Sequence, residues 1–243
     1  MKRQRIRKLL LALSLLLFPV TLYYFSPVII LQAGMRRILN GSLFVFAFMF
    51  LLSIVMGRSF CAWLCPAGAI QELLLPAKDS PPKQGWRNYI KYGIWLVWIL
   101  IVVLFYATSD SPWTVDFFFM TKSGISVADT AGYIIYYFIV ALIIVPCLIG
   151  GKRVFCHYLC WMAPFLALGT TLSKALGLPR LHIATTQEKC TGCQQCDSVC
   201  PMSLDVRNTT ETKSLNSLEC IQCGACVDVC PHKSLGYKMS GRK

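Results

Sequence analysis

The sequence predicts two parts: an α-helical membrane bundle of four transmembrane helices, then a small α+β domain built around cysteines. Three observations predict this. Of the 243 residues, 56% are hydrophobic and only 14% charged, against about 45–50% and about 25% in ordinary soluble domains. The apolar residues are gathered into blocks of about the 17–25 residues that cross a bilayer. And eight of the 13 cysteines fall in the last 54 residues, at the spacing of metal ligands.

The first block, residues 9–25, follows the basic start MKRQRIRK. No small-residue cleavage site follows it, so it reads as an uncleaved first helix, kinked at Pro19. Residues 38–56, 92–108 and 133–149 supply the other three spans. Residues 165–178 are apolar but broken by Thr170, Thr171, Ser173 and Lys174, which suits an interfacial or re-entrant helix. Residues 62–76 have the same look. The membrane part is thus expected over residues 1–178 and the cysteine-rich domain over 179–243.

Charge orients the bundle. Residues 1–8 carry five Lys/Arg and residues 57–91 five more, and Lys152 and Arg153 follow the fourth block. Only Arg36, Arg37 and Lys122 fall on the opposite side, leaving 21 of the 24 basic residues on one face. Basic loops stay in the cytoplasm, so the expected location is the cytoplasmic membrane, multi-pass, with both termini inside and membrane lipid as the first partner. Arg36 and Arg37 are expected to snorkel to the outer headgroups. The net charge of +13 could mark a nucleic-acid binder. Its basic residues flank apolar blocks instead of forming a stripe, which excludes nucleic acid.

Cys190, Cys193, Cys196 and Cys200-Pro201 read C-x2-C-x2-C-x3-C-P, and Cys220, Cys223, Cys226 and Cys230-Pro231 repeat the pattern. In this arrangement three thiolates of a tight loop bind one iron–sulfur cube and the fourth cysteine reaches the other. One [4Fe–4S] cluster is therefore expected on Cys190, Cys193, Cys196 and Cys230, and the second on Cys220, Cys223, Cys226 and Cys200. The domain is then a bacterial-type 2[4Fe–4S] ferredoxin. Zinc ribbons also use C-x2-C, but not three cysteines followed by x3-C-P twice over. Clusters and free thiols suit a reducing compartment.

The membrane part carries a repeat. Arg58-Ser-Phe60-Cys61-Ala-Trp63-Leu64-Cys65 recurs 95 residues later as Arg153-Val-Phe155-Cys156-His157-Tyr158-Leu159-Cys160. Each unit ends a helix pair, giving two parallel repeats. Spaced i, i+4, each cysteine pair would share a helix face. Four converging thiols, Cys61, Cys65, Cys156 and Cys160, would hold a third iron–sulfur centre or a soft metal such as Cu(I). The alternative is that they pack as small hydrophobes. Cys147 reads as packing, and His157 as a ligand, a relay group or an interfacial ring. Trp63, Trp86 and Trp161 read as interface anchors. Phe117, Phe118 and Phe119 read as a loop in the outer headgroups with room for a quinone.

In combination these motifs resemble the NapH/NosR-type family of polytopic membrane 4Fe–4S ferredoxin-like proteins. The resemblance rests on Cys61-Ala-Trp-Leu-Cys65-Pro66, the Cys156/Cys160 pair and the eight C-terminal cysteines. Where the family has proline after both pairs, this chain has Trp161-Met-Ala-Pro164 after the second. The resemblance implies electron transfer between the quinone pool, or a membrane redox partner, and the ferredoxin-type clusters. The chain would be an electron-transfer subunit of a larger oxidoreductase of the quinol dehydrogenase type. Copper handling or metal reduction by the membrane thiols is one alternative, and a redox-sensing regulator another.

Overall fold

The computed structural model describes residues 2–83, 85–186, 189–208, 214–215 and 217–241. Helix α1 (Lys2–Leu16) is followed by α2 (Phe18–Thr21), a 3-10 turn (Leu22–Phe25) and α3 (Pro27–Gly34). Strand β1 (Ile38–Asn40) leads into α4 (Gly41–Met56), α5 (Ser59–Trp63) and α6 (Pro66–Leu73). Then come α7 (Ile90–Thr108), β2 (Thr114–Asp116), α8 (Thr130–Gly150), α9 (Val154–Tyr158) and α10 (Ala163–Ala175). The C-terminal part holds β3 (Arg180–Thr185), α11 (Gln195–Ser198), α12 (Ala225–Val229) and β4 (Leu235–Ser240).

Two helices are long and apolar enough to cross a membrane, Trp86–Thr108 and Thr130–Gly150. Only 11% and 17% of their apolar windows is buried inside the molecule, so most of that surface requires lipid. Leu100 and Val103 on α7, with Ile134 and Phe138 on α8, are each more than 60% exposed. The other two expected spans differ. Residues 9–25 are not one straight helix: Lys2–Leu16 and Phe18–Phe25 meet at 60°. Pro19 cannot donate to the carbonyl four residues back and sits instead in the first turn of α2. In residues 38–56 the first three form β1, paired in parallel with β2. Asn40 then caps α4 by accepting from the Leu43 N–H at 3.1 Å. Those 16 helical residues reach about 24 Å at about 1.5 Å each, short of the about 30 Å hydrocarbon core.

The stretch expected as interfacial after Cys160 becomes α10, and it packs on α4. Its face of Leu166, Ala167, Gly169, Thr170 and Ser173 is buried. Phe165 meets Phe46, Trp95 and Trp98 edge-on at 5.2–5.7 Å. Gly169 permits the approach, because a Cβ there would lie 2.7 Å from the Phe50 carbonyl and nearer still to Ser53 Oγ. Gly169→Val should therefore overpack this contact, costing about 1–3 kcal/mol, which would appear as a lower unfolding midpoint in detergent.

At the other end, Arg37 does not extend to headgroups. It donates to the Tyr106 and Ala107 carbonyls at 3.1 Å and lies over the Trp113 ring. It thus satisfies the open carbonyls that end α7 and complements the negative end of that helix.

Candidate functional site: two cysteine-lined hollows and a buried thiol quartet

In the C-terminal part, β3 and β4 pair antiparallel from Arg180↔Ser240 to Thr185↔Leu235, closing a small unit around the cysteine loops. Cys190, Cys193, Cys196 and Cys230 line one hollow. Cys200, Cys220, Cys223 and Cys226 line a second. Both loops share one backbone rule: the second and fourth residues after the first cysteine are left-handed. These are Gly192 and Gln194 in one loop, Gln222 and Gly224 in the other. Such alternation turns successive N–H groups toward one point, the arrangement that receives an anion. Gly224 is obligatory, since a Cβ there would sit 2.5 Å from the Tyr237 hydroxyl, which donates to the Gln222 carbonyl at 2.7 Å.

The hollows differ in exposure. All four cysteines of the second are buried, whereas Cys193 is exposed and its three companions are half-buried. Contacts with the membrane part explain this. Gln4 donates to the Cys223 carbonyl at 3.1 Å and to Asp228 at 2.6 Å, and Arg3 pairs with Asp228. Trp63, expected as an interface anchor, instead donates to the Gln222 carbonyl at 3.2 Å. Trp161 likewise donates inside the protein, to the Phe25 carbonyl at 3.0 Å, while Trp86 is exposed. Glu219, beside Cys220, accepts from Arg58 at 2.7 Å and Lys91 at 2.5 Å. Burial would raise its pKa, but these two cations outweigh burial and take it down to about 2.

The membrane cysteines occupy two matched turns. Cys61 lies in α5 and Cys156 in α9. The second cysteine of each pair lies beyond its short helix, not on the shared helical face that i, i+4 spacing predicts. Cys65 N donates to the Phe60 carbonyl at 3.0 Å, and Cys160 N to the Phe155 carbonyl at 2.9 Å. The reason at Cys65 is Pro66, which pushes the residue before it to extended geometry, here φ −77° and ψ 119°. The turns still bring the thiols together: Cys65 lies within electrostatic reach of Cys61, Cys156 and Cys160. All four are buried. Burial pushes the Cys61, Cys65 and Cys160 thiols up, and the Arg58 charge opposes it at Cys61 and Cys160.

The family described as "4Fe-4S binding domain" matches residues 39–83 and 132–179, the two stretches that contain the matched turns. The family described as "4Fe-4S dicluster domain" matches residues 182–231. These matches, with the relatives below, support the NapH/NosR-type 4Fe–4S ferredoxin-like family for this chain. Among its relatives, an uncharacterized protein of Methanocaldococcus jannaschii is 27% identical over 194 residues, 76% of this chain and 66% of that protein. The "Putative electron transport protein YccM" of Escherichia coli is 27% identical over 205 residues, 74% of this chain and 50% of that one. The "Ferredoxin-type protein NapH" of Haemophilus influenzae is 26% identical over 195 residues, 78% and 64% respectively. The chain thus spans between half and two thirds of the length of these relatives. No solved structure matches it. It carries 4Fe–4S binding domains and helices long and apolar enough to cross a membrane.

Several residues around the quartet carry no signal in the sequence. Gln71 of α6 donates to Cys156 Sγ at 3.1 Å and accepts from Cys147 Sγ at 3.4 Å, so Cys147 is joined to the quartet through one amide. Glu72 pairs with both Arg7 and Arg153. Those cations overcome the upward push of burial and take its carboxyl down to about 2. His157 is 1% exposed, and burial lowers its pKa to about 4. It is therefore a buried neutral ring and not an interfacial one. Among the described residues, no three His, Cys, Asp or Glu side chains are gathered tightly enough for a lone metal ion. The donor set nevertheless suits a sulfur-rich anionic group: four thiols, with Arg58 Nε and Nη2 and Arg153 Nε buried and in no good hydrogen-bond geometry, Arg58 lying against the Cys61 thiol.

Cys65 and Cys160 also border an apolar cavity of about 490 Å³ between the bent first segment and α8. Phe138, Ile143, Phe155 and Trp161 line it, and Ser26 and Gln32 are among its few polar groups. Its volume is in the usual range for an organic ligand. The Phe117–Phe119 loop expected to offer a quinone site lies elsewhere, with Phe117 packed on Tyr24 and Phe44.

Proposed function

We propose that this chain conducts electrons between the quinone pool, or a membrane redox partner, and two ferredoxin-type [4Fe–4S] clusters, as the electron-transfer subunit of a larger membrane oxidoreductase. The observation that carries this reading is the order of the sites. The apolar cavity touches Cys65 and Cys160, the quartet adjoins the cation layer, the buried hollow follows, and the half-exposed hollow opens outward. Cys200, Cys220, Cys223 and Cys226 hold the inner cluster; Cys190, Cys193, Cys196 and Cys230 hold the outer one. Cys61, Cys65, Cys156 and Cys160 hold a third centre between quinone and clusters. A cube keeps its thiolates farther apart than a lone ion does, which favours a cluster there over copper.

In this reading the membrane is the cytoplasmic one, both termini are inside, and the two cysteine turns are related by parallel repeats. Supporting the repeats, α4 packs on α10 and α6 on α8, so each half supplies a long helix to the short one of the other. The clusters provide the one-electron steps. The chain's own residues supply the rest: the apolar walls admit and orient the ring, and the quartet's burial keeps water from the thiols. The direction of flow follows the potentials of the two ends.

The test is anaerobic reconstitution in vesicles with a short-chain quinol analogue, following cluster reduction by EPR. Ile143→Trp, which fills the cavity, should slow reduction by quinol at least tenfold while dithionite still reduces the clusters. Equal rates in the variant and the parent protein would remove the cavity from the path.

A further inference from the structure

We infer that Arg58 and Arg153 are a matched pair of charge-compensating donors for the metal–sulfur group of the quartet, and that they set its reduction potential. The inference rests on the reading that Cys61, Cys65, Cys156 and Cys160 hold such a group. Each arginine stands three residues before the first cysteine of its turn. Both are sealed from solvent, at 1% and 0% exposure. In each guanidinium one terminal nitrogen binds a carboxylate at 2.7 Å, Glu219 for Arg58 and Glu72 for Arg153.

The remaining donors point to something more. Arg58 Nε and Nη2 and Arg153 Nε are buried and meet no acceptor in good hydrogen-bond geometry, and Arg58 lies against the Cys61 thiol. A guanidinium stays charged at any accessible pH and cannot shed these protons, so donors left this way in a buried layer are costly. Arg153 also crosses between the repeats. Its Nη1 lies 3.4 Å from the Cys61 carbonyl and 3.6 Å from the point where a Gly68 Cβ would stand, itself 3.5 Å from Cys65 Cβ. The arginine of the second turn thus lies against the cysteines of the first.

Charge gives an independent argument. Glu72 is shared by Arg7 and Arg153, and Glu219 by Arg58 and Lys91. Four cations face two carboxylates, an excess of two positive charges in a buried layer beside the quartet. Buried charge is tolerated when paired; the same cations also reach Cys220 and Cys223 of the inner hollow, so the excess serves anionic metal–sulfur groups on both sides of the layer. N–H donors to the sulfurs and nearby positive charge both raise the potential of such a centre.

The test uses Arg153, because Glu72 keeps Arg7 as a partner when Arg153 is replaced. Full-length protein carrying Arg153→Gln or Arg153→Lys is purified anaerobically, its metal counted, and its EPR signals titrated against potential. In the parent protein a signal beyond those of the ferredoxin clusters is expected. Arg153→Gln should lower its midpoint by a tenfold change in the reduction equilibrium, about 59 mV for one electron, or lose the metal. Arg153→Lys should keep both metal and midpoint near the parent values. The outer ferredoxin cluster, the internal reference, should not move. An unchanged midpoint in Arg153→Gln, or equal loss of metal in both variants, overturns the inference while leaving the third centre standing. A parent protein with no metal beyond the ferredoxin complement overturns the third centre and the inference together.

Discussion

Cys200→Ala should abolish the cluster of Cys220, Cys223 and Cys226 and leave that of its own sequence neighbours largely intact. Cys230→Ala should do the reverse. The geometry behind this is the composition of the two hollows, each lined by three cysteines of one motif and the last cysteine of the other. A cube that loses one of four thiolates loses iron or is exposed to solvent at that corner. The two losses should also differ in kind. The Cys200 hollow is buried against the membrane part, whereas Cys230 lies in a half-exposed one. Cys230→Ala should therefore leave the inner cluster's EPR signal unchanged, and Cys200→Ala should broaden or remove it. If each substitution destroyed the cluster of its own motif, the crossed ligation would be wrong.

Glu219→Ala should be among the most damaging substitutions outside the cysteines. It leaves Arg58 and Lys91, at 1% and 0% side-chain exposure, without their shared carboxylate. Breaking a buried pair from one side costs about 3–5 kcal/mol, because the remaining charge is stranded. Here one removal strands two. The carboxylate also joins the ferredoxin part to the membrane part, so the loss should appear as undocking. Hydrogen exchange would show it as faster exchange both in residues 217–230 and in the first turn of α1, where Gln4 holds the Cys223 carbonyl. Adding Lys91→Met to Glu219→Ala should recover part of the loss, since it removes one stranded cation and keeps the stem's packing. Unchanged exchange in the single variant would mean that Glu219 does not hold the interface.

What the sequence discloses and what it conceals divides along physical lines. The two ferredoxin motifs are legible because a cube fixes the spacing of its ligands within one loop, and no distant residue is needed to recognise it. The helices Trp86–Thr108 and Thr130–Gly150 are legible because their apolar runs are unbroken and bilayer thickness sets their length. The start of α4 is not, because residues 38–40 become a strand only by pairing with Thr114–Asp116, and hydropathy cannot distinguish an apolar strand from an apolar turn of helix. Helical spacing misleads at Cys65 because Pro66 ends the helix between the two cysteines it relates. The arginines of the repeated frame are visible as basic residues at matched positions. Their partners are distant, Glu219 lying 161 positions from Arg58 and Glu72 81 positions from Arg153, and nothing local marks either as the counter-charge of a buried layer. Gln71, in a stretch that reads as merely interfacial, gains its meaning only when α6 packs against α8 and meets Cys147 and Cys156.

The measurement that bears most directly on the proposed path is a count of iron, sulfide and copper in anaerobically purified protein, set beside the same count for Cys61→Ser and Cys156→Ser. The expected result is iron and sulfide in excess of two four-iron clusters, with the excess lost in both variants and the ferredoxin signals preserved. Iron and sulfide equal to two four-iron clusters in all three proteins, with no copper, would contradict it, leaving the four membrane thiols as packing.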